Sequence, residues 1–463
     1  MSGVPKYTQP HLLQWQVLPS ITAAQLTQLM QMPLKTSLEK VAAPETRLEV
    51  VPTESETRLG AMQPQALFSE VSSSLMAAKT QLDSINEREY HQLASALDLY
   101  AGLKWKLNRD FGIPVVTNAT LKMYELLCTL PLIPGLRAQQ RAKNARAQPA
   151  PVDAFCNAEL PGAFLVAINQ FVRGRHPAVP FEWVASSYDA ASARAAGDDT
   201  ILDDKYGFFA GNRDRWLMRP VPSTTALTHN QPISGDLTDP AVVRELAARA
   251  RAKYPDGATL YTSDAGIDIS NDYCAQESRT LVLNYGQVVC GLLSLALGGT
   301  LVTKQYHFTT VFNRQLLIAL SALFERLLVV KPLTSRPAND EVYIVGLGFR
   351  GIDATLSELL IQTLSRIRSE PEPDAAELFT NVFDDSVVET IRTADLELLR
   401  ISRTLTRQQI DFLNEIVEFH KKYKGRSHQL QKELSGLAAR CQRRWLELNR
   451  VWKVSEQIQQ GTV

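Results

Sequence analysis

Short apolar runs alternate with longer amphipathic stretches in the middle of the chain, between residues 151 and 351. Each run has the length of a strand and is followed by a glycine or a polar turn. We predict strands at 152–157, 182–186, 259–262, 300–304, 326–331 and 342–346. Because helical stretches separate these runs, the pattern predicts an α/β fold with a mostly parallel sheet covered on both faces. Ligands of such folds bind at the carboxyl ends of the strands.

Both ends of the chain have helical rather than strand periodicity. We expect 1–80 to be a partly ordered N-terminal arm, 81–150 a helical lead-in, 151–352 the α/β domain and 371–463 a C-terminal helical extension. Two apolar stripes in that extension meet near Gly425 and predict an antiparallel helical pair. The longest apolar run, 288–302, is too short to span a bilayer and contains glycines, so we expect a buried helix, a Gly-Gly turn and the start of a strand.

Composition narrows the functional classes. The 49 basic and 49 acidic residues cancel, so any nucleic-acid binding must come from a local patch. The five cysteines are scattered and have no histidine cluster nearby, which indicates reduced thiols and neither structural zinc nor another metal site. The first residues lack the pattern of a secretory signal. We expect an intracellular protein without membrane contact; nuclear and cytoplasmic locations stay open, as does a viral origin with a cytoplasmic or virion location.

Four charged residues flank or interrupt different apolar elements: Lys122, Asp264, Lys304 and Glu341. Burying a lysine or a carboxylate is costly unless an opposite charge accompanies it. Two of each at the ends of predicted strands, or within an apolar helix, therefore indicate one shared site. Such a pattern favours catalysis on a hydroxyl group.

Two further segments are candidates for ligand binding. The stretch 159–164 follows the first predicted strand, and its Gly162 lets the backbone approach a ligand at the start of a helix. An ordinary strand-to-helix turn explains the same residues. Asp236, after Gly235, could accept from an adenine amino group or cap a turn ahead of the helix that begins near Pro240. Both alternatives remain open in each segment.

The order of these parts resembles the FtsJ-like methyltransferases, which transfer a methyl group from S-adenosylmethionine to an RNA ribose 2′-hydroxyl. The family's Lys-Asp-Lys-Glu tetrad matches Lys122, Asp264, Lys304 and Glu341 in order and local context. The nearest likeness is to messenger-RNA cap 2′-O-methyltransferases, through 122–128, 159–164, 331–332, 335–336 and 339–341. The resemblance implies a Rossmann-like methyltransferase fold for 151–352, with Lys122 carried by the lead-in, S-adenosylmethionine as cofactor and capped RNA as substrate.

The resemblance also implies roles for single residues. Lys304 would be the base; burial and the Lys122 charge would lower its pKa while Asp264 would raise it, and the net result stays open. Glu341 would hold Lys122 or the ribose. The cofactor's methionine end would meet Glu159, Pro161, Gly162, Ala163 and Phe164, its adenosine would meet Asp236, and its ribose would meet Asp189. Two departures are Ala163, where many relatives have a second glycine, and the long segment 189–230, which has no clear match.

Candidate RNA contacts fall in two places. Arg336 and Asn339 accompany the tetrad segment, and Arg141 and Lys143 belong to a basic loop that could bind phosphate or be a solvated surface. The basic C-terminal helices could bind RNA, although tryptophans at helical spacing also fit a core. The alternatives to a cap enzyme are a ribosomal- or transfer-RNA methyltransferase and a non-catalytic RNA-binding subunit of a capping complex. A capping or polymerase partner could bind the terminal extensions.

Overall fold

Seven strands form one mixed sheet in the computed structural model, which describes residues 13–17, 26–27, 30, 64–134, 150–189, 204–218, 232–267, 276–370, 377–378 and 385–453. The strands are β1 Leu13–Val17, β2 Val152–Asn157, β3 Phe181–Ala185, β4 Ala258–Ser263, β5 Leu295–Gln305, β6 Phe324–Lys331 and β7 Val342–Phe349. They lie side by side in the order β1-β6-β7-β5-β4-β2-β3.

Strands β2 to β6 all run in the same direction. The pairs β2–β3, β2–β4 and β4–β5 are parallel, whereas β7 is antiparallel to both β5 and β6. The prediction of a mostly parallel sheet is therefore confirmed. All six predicted strands are present, and four of them, β4 to β7, are longer than expected. The largest difference is in β5, which begins at Leu295 rather than residue 300, so that the predicted Gly-Gly turn lies inside it.

An additional strand lies at one edge of the sheet. Residues Leu13–Val17 of the predicted arm form β1, which pairs antiparallel with β6 so that Leu13 is opposite Lys331. A five-residue strand in a glutamine-rich segment has no strong local signal. Its partner β6 is distant in sequence, and only tertiary pairing makes it a strand.

Helices cover both faces of the sheet. They are α1 Pro64–Thr80, α2 Glu87–Leu97, α3 Leu103–Phe111, α4 Asn118–Thr129, α5 Ala163–Arg175, α6 Pro240–Lys253, α7 Gln276–Ser294, α8 Val311–Leu323, α9 Ala354–Ser369, α10 Asp385–Tyr423 and α11 Ser427–Asn449. Shorter helical turns occur at Gln81–Ser84, Phe208–Gly211 and Arg213–Arg215. Among the helices that the structure describes, none is both long enough and apolar enough to cross a membrane.

The helices from the two ends of the chain share one apolar core. Leu75 of α1 and Leu93 of α2 are buried with Phe412 of α10 and Leu434 of α11. Gly425, at φ 74°, separates α10 from α11, as the two apolar stripes predicted. The N-terminal and C-terminal extensions thus pack on each other as well as on the sheet, and the domain division given above stays a prediction.

Candidate active site

Charged side chains converge at one edge of the sheet. The parallel strands β2, β4 and β5 end there, and Glu159, Asp264 and Lys304 stand at or just beyond their ends. Because β7 is antiparallel to β5, with Tyr343 opposite Lys304, β7 begins where β5 ends. Glu341, immediately before β7, therefore reaches the same edge.

Lys304 and Asp264 form the first pair of this site. The Lys304 Nζ lies 3.4 Å from Asp264 Oδ1 and donates to the backbone oxygen of Asp264 at 2.8 Å. The hydroxyl of Tyr343 donates to Asp264 Oδ1 at 2.9 Å. Lys304 keeps 11% of its side chain exposed and Asp264 keeps 18%. The pair is thus anchored to β7 but open to a ligand.

The electrostatic balance at Lys304 favours its charged form. Burial alone would lower the pKa of this amine, but Asp264, with further contributions from Tyr306 and Glu341, outweighs burial and raises it. The question left open by the sequence therefore has an answer for the ligand-free protein: Lys304 is a lysinium. Any reaction that needs a neutral amine here requires a proton to leave first.

Lys122 and Glu341 form the second pair. The Lys122 Nζ is 2.5 Å from Glu341 Oε1, and both side chains are more than nine-tenths buried. Ser335 Oγ lies 3.1 Å from the same oxygen as a hydrogen-bond donor. Burial would raise the pKa of Glu341, but the positive charges of Lys122 and Lys304 lower it instead. Glu341 is therefore a carboxylate that joins the two lysines electrostatically.

Helix α4 is held in place one turn beyond Lys122. Glu125 is buried and accepts from the backbone amide of Leu333 at 2.7 Å and from the indole of Trp445 at 3.1 Å. Thr334 donates to the same carboxylate through its amide and hydroxyl. A single carboxylate thus connects α4 with α11 and with residues 332–341, the Glu341 loop between β6 and β7.

The Glu341 loop is also fastened from outside the sheet. Asp340 lies 3.0 Å from Lys79 Nζ of α1 and 3.0 Å from His307 Nε2. Gln409 of α10 donates to the backbone oxygen of Ala338 at 2.7 Å. Burial would raise the pKa of Asp340, but His307 and Lys79 outweigh burial and lower it. The position of Glu341 therefore depends on helices from both ends of the chain.

Lys331, at the end of β6, braces the loop from inside. Its Nζ donates to the backbone oxygens of Asn339 at 2.7 Å and Glu341 at 2.9 Å. Burial lowers the pKa of Lys331 to about 8, although Glu341 and Asp340 partly oppose the shift. Its two hydrogen bonds go to carbonyl oxygens, whereas Lys304 faces a carboxylate. That difference explains why the pKa of Lys331 is lowered while the pKa of Lys304 is raised.

The stretch after β2 has the geometry of a binding turn. Gly162, at φ 101°, precedes α5 and has no side chain to cap the helix. Glu159 supplies a side-chain contact instead and accepts from the Leu165 amide at 2.9 Å. Burial and the nearby charge of Asp264 raise the pKa of Glu159 to about 8 despite that hydrogen bond. The positive end of the helix dipole suits a ligand carboxylate, and Glu159 suits a ligand ammonium.

The other predicted cofactor residues differ in how they face this turn. Phe164 is buried and packs against Tyr343 with ring centroids 6.1 Å apart, so its side chain belongs to the core. Ala163 is also buried, whereas Pro161 is partly exposed. A Cβ added at Gly162 would come within 2.8 Å of the Phe208 ring, which covers the turn. Close approach of the backbone thus requires glycine at 162.

Asp236 and Asp189 lie on neighbouring segments. The amide of Asp189 donates to the backbone oxygen of Ser234 at 2.6 Å. Asp236 accepts from the amide of Thr238 at 2.9 Å, the turn-capping contact, and its other oxygen lies 3.6 Å from Arg368. Asp239, not Asp236, caps α6. The capping role of Asp236 leaves one carboxylate oxygen directed towards Arg368.

The structure describes two of the four candidate RNA contacts. Arg336 and Asn339 are exposed on the Glu341 loop. Arg141 and Lys143 lie outside the residues that the structure describes.

Sequence reasoning missed Tyr343, Glu125, Lys331 and Asp340. Glu125 had a detectable signal, since it is a carboxylate between Tyr124 and Leu126 in an apolar helix, whereas Asp340 stands between two polar residues. Tyr343 had none beyond its place in an apolar strand.

Comparison with known proteins gives three findings. The model of the FtsJ-like methyltransferase family matches residues 218–349, a range that includes Asp264, Lys304 and Glu341 but not Lys122 or Glu159. The chain is 33% identical over 384 residues to "Probable methyltransferase EP424R" of African swine fever virus, covering 82% of each chain. It is 25% identical over 314 residues to the cap-specific mRNA (nucleoside-2′-O-)-methyltransferase 2 of Drosophila melanogaster, covering 65% of this chain and 41% of that one.

Among solved structures, a ribosomal RNA methyltransferase from Plasmodium falciparum aligns over 46% of this chain and 96% of its own. The identity is 15% and the TM-score is 0.29, which is too low to support an argument.

Proposed function

We propose, from the premise that this chain belongs to the FtsJ-like methyltransferases, that it methylates the ribose 2′-hydroxyl of RNA in the 5′ cap region of messenger RNA. The observation that carries the proposal is the closure of Lys122, Asp264, Lys304 and Glu341 around one point of the sheet edge. The cap region is favoured because a relative named for cap-specific mRNA methylation matches 65% of this chain.

FtsJ-like methyltransferases use S-adenosylmethionine, which supplies a methyl group on a positively charged sulfonium. The residues present fit such a ligand. In our proposal the Gly162 turn at the start of α5 receives its carboxylate, Glu159 its ammonium, and Asp236 with Asp189 its adenosine. Glu159 would then change from a largely protonated acid to a carboxylate, because an ammonium favours the ionised form.

The proposed reaction needs a polarised hydroxyl, because a ribose 2′-hydroxyl is a weak nucleophile. Lys304 would release its proton to solvent as substrate binds, helped by the positive charge of Lys122. Its Nζ would then accept the 2′-hydroxyl proton while the oxygen bonds to the methyl carbon and the bond from that carbon to the sulfonium sulfur breaks, which leaves S-adenosylhomocysteine as a neutral thioether. Asp264 holds the amine in place and stabilises the lysinium that results. Lys122, fixed by Glu341, contributes positive charge next to the developing oxyanion.

A methyl-transfer assay on matched RNAs tests this proposal. The RNAs share one sequence and carry an N7-methylated cap, an unmethylated cap or no cap; a fourth is already 2′-O-methylated at its first nucleotide. We expect methyl transfer to capped RNA. Prior methylation of the target ribose should block this transfer. Equal transfer to uncapped RNA would favour a ribosomal- or transfer-RNA enzyme. Absence of both transfer and S-adenosylmethionine binding in calorimetry would favour a non-catalytic subunit.

A further inference from the structure

An open groove of about 200 Å³ lies between α11 and the Glu341 loop. Trp445 and Leu333 form part of its floor, Tyr100 and Leu448 part of its walls, and Arg440 and Arg444 stand at its rim. Ligand sites combine apolar walls with a few polar groups. The groove has this composition and lies outside the site described above.

The floor of the groove is connected directly to the charged tetrad. Trp445 and Leu333 both donate to Glu125, which lies on α4 one turn from Lys122. Leu333 also belongs to the loop that ends at Glu341. The groove is therefore bordered by the same loop that carries Glu341 of the tetrad.

The rim of the groove carries positive charge. Arg440 and Arg444 are both exposed, and Arg444 has only an exposed ion pair with Glu447 at 3.6 Å. Such exposed pairs contribute little, so the guanidinium can exchange its partner for a phosphate. The charge of Arg336, which is exposed on the Glu341 loop, acts on Asp98, and Asp98 accepts from the amide of Tyr100 at 3.0 Å. Arginines thus stand at the rim of an apolar, aromatic channel, and a further arginine lies on the adjoining loop.

We propose that this groove binds one or more nucleotides of single-stranded RNA that flank the methylated nucleotide. A base packs among Tyr100, Trp445 and Leu448, and Arg440 and Arg444 bind the adjoining phosphates. Aromatic walls with arginines are the common means of holding single strands. The inference rests on the proposed function for its choice of RNA over an acidic protein segment, because it extends the path of that substrate.

The first test compares two variants that each lose two positive charges from α11. Arg440→Gln with Arg444→Gln removes the rim of the groove. Lys432→Gln with Arg443→Gln removes two exposed charges that do not line it. We expect the rim variant to raise KM for capped RNA about tenfold while affinity for S-adenosylhomocysteine is retained. The salt dependence of RNA binding should fall by roughly 0.7 in log–log slope for each lost phosphate contact. The control pair should change neither value comparably.

The second test uses two exposed leucines, so that unfolding does not confound the result. Leu448, 45% exposed, lines the groove, and Leu297, 77% exposed, lies at the start of β5, away from the end that carries Lys304. Leu448→Asp places a carboxylate where RNA phosphates pass and should weaken RNA binding, whereas Leu297→Asp should not. Photo-crosslinking of capped RNA with 4-thiouridine beside the target nucleotide should label peptides containing Tyr100 or Trp445.

The outcomes separate this inference from the proposed function. Suppose that the wild-type protein methylates capped RNA, and that the rim variant and Leu448→Asp both have the wild-type KM for this RNA. The groove then does not bind RNA, and the proposed function stands. If wild type binds RNA without methylating it, the proposed function fails while crosslinking still tests the groove. Loss of binding to an acidic protein, with RNA binding intact, would overturn the choice of RNA.

Discussion

The two lysine–carboxylate pairs of the candidate site are built from different parts of the molecule. Lys304 and Asp264 stand at the ends of adjacent parallel strands, β5 and β4, so the sheet alone brings them together. Lys122 and Glu341 come from a helix and a loop. Contacts from α1, α10 and α11 fix that helix and loop. The first pair belongs to the sheet, and the second requires the helices at both ends of the chain.

We expect the first pair to take part in the chemical step and the second pair to position Glu341. The sheet-built pair is partly open and contains the candidate base, whereas the helix-held pair is more deeply buried. Changes in the first pair should therefore affect the methyl-transfer step. Changes around the second should also affect stability and the placement of Glu341.

The largest effect is expected for Lys304→Met, which keeps the apolar stem and removes the amine. Methyl transfer should fall by about 10³-fold, since general bases contribute roughly 10²–10⁴. Single-turnover kinetics measures this loss, and calorimetry with S-adenosylhomocysteine checks that the cofactor site is intact. Lys432→Met, an exposed lysine on α11, is the control. A rate within tenfold of wild type would remove Lys304 from the mechanism.

Glu341→Gln should have the next largest effect, because it leaves the Lys122 charge buried without its partner. We expect a loss of about 3–5 kcal/mol in the free energy of unfolding and a rate reduced about 10²-fold. Lys122→Met with Glu341→Gln should be more stable than Glu341→Gln alone, because no unpaired charge remains. Denaturant unfolding of the single and double variants measures the coupling. Additive effects would contradict a buried pair.

Glu159 offers a pH test of the sheet-built half. Its pKa in the folded protein, about 8, lies above the ordinary value of 4.5, so the folded state takes up a proton. The free energy of unfolding should therefore decline as the pH rises from 4.5 to about 8. Affinity for S-adenosylhomocysteine should increase over the same pH window, by up to roughly tenfold per pH unit below 8.

Calorimetry and thermal unfolding at several pH values measure both trends. Glu159→Gln should abolish both, and Asp264→Asn should move the window to lower pH because it removes a like charge. An unchanged pH profile in Glu159→Gln would assign the titration to another group.

Asp340→Asn should produce a smaller effect than these variants, through the helix-held half alone. The low pKa of Asp340 makes its ionised form stabilising above the ordinary value of 3.8, and this contribution is lost as the pH falls below that value. The Asp340→Asn variant should lack this stabilising contribution at neutral pH. Its kcat should drop about tenfold, because Glu341 shifts.

Lys79→Met removes only the contact with α1 and should lose less. The comparison of kcat with KM, together with acid unfolding curves, tests this assignment. If Asp340→Asn also shifts the pH window of Glu159, the two halves are not separable.

Local pattern predicted the sheet-built half well. Apolar runs ending in Asp264 and Lys304 identified both strands, and the mixed sheet then placed the two side chains together. The helix-held half was only partly predictable. Glu341 was identified by its position before an apolar strand, but Asp340 and Glu125 gain their roles from contacts with distant segments. Lys331 gains its role from the way the adjoining loop folds back over it. Strand β1 was missed for the same reason, because its pairing with β6 creates the element.

Gln409 contacts the Glu341 loop from a helix near the C-terminal end of the chain. This contact affects the order in which the site can form during synthesis. On the ribosome, the strands that hold Asp264 and Lys304 emerge well before α10 and α11. A nascent chain can therefore form the Lys304–Asp264 pair while Glu341 is still without its outer supports. The tetrad is complete and fixed only after synthesis of the last helices, so we expect chains that lack them to hold Glu341 poorly.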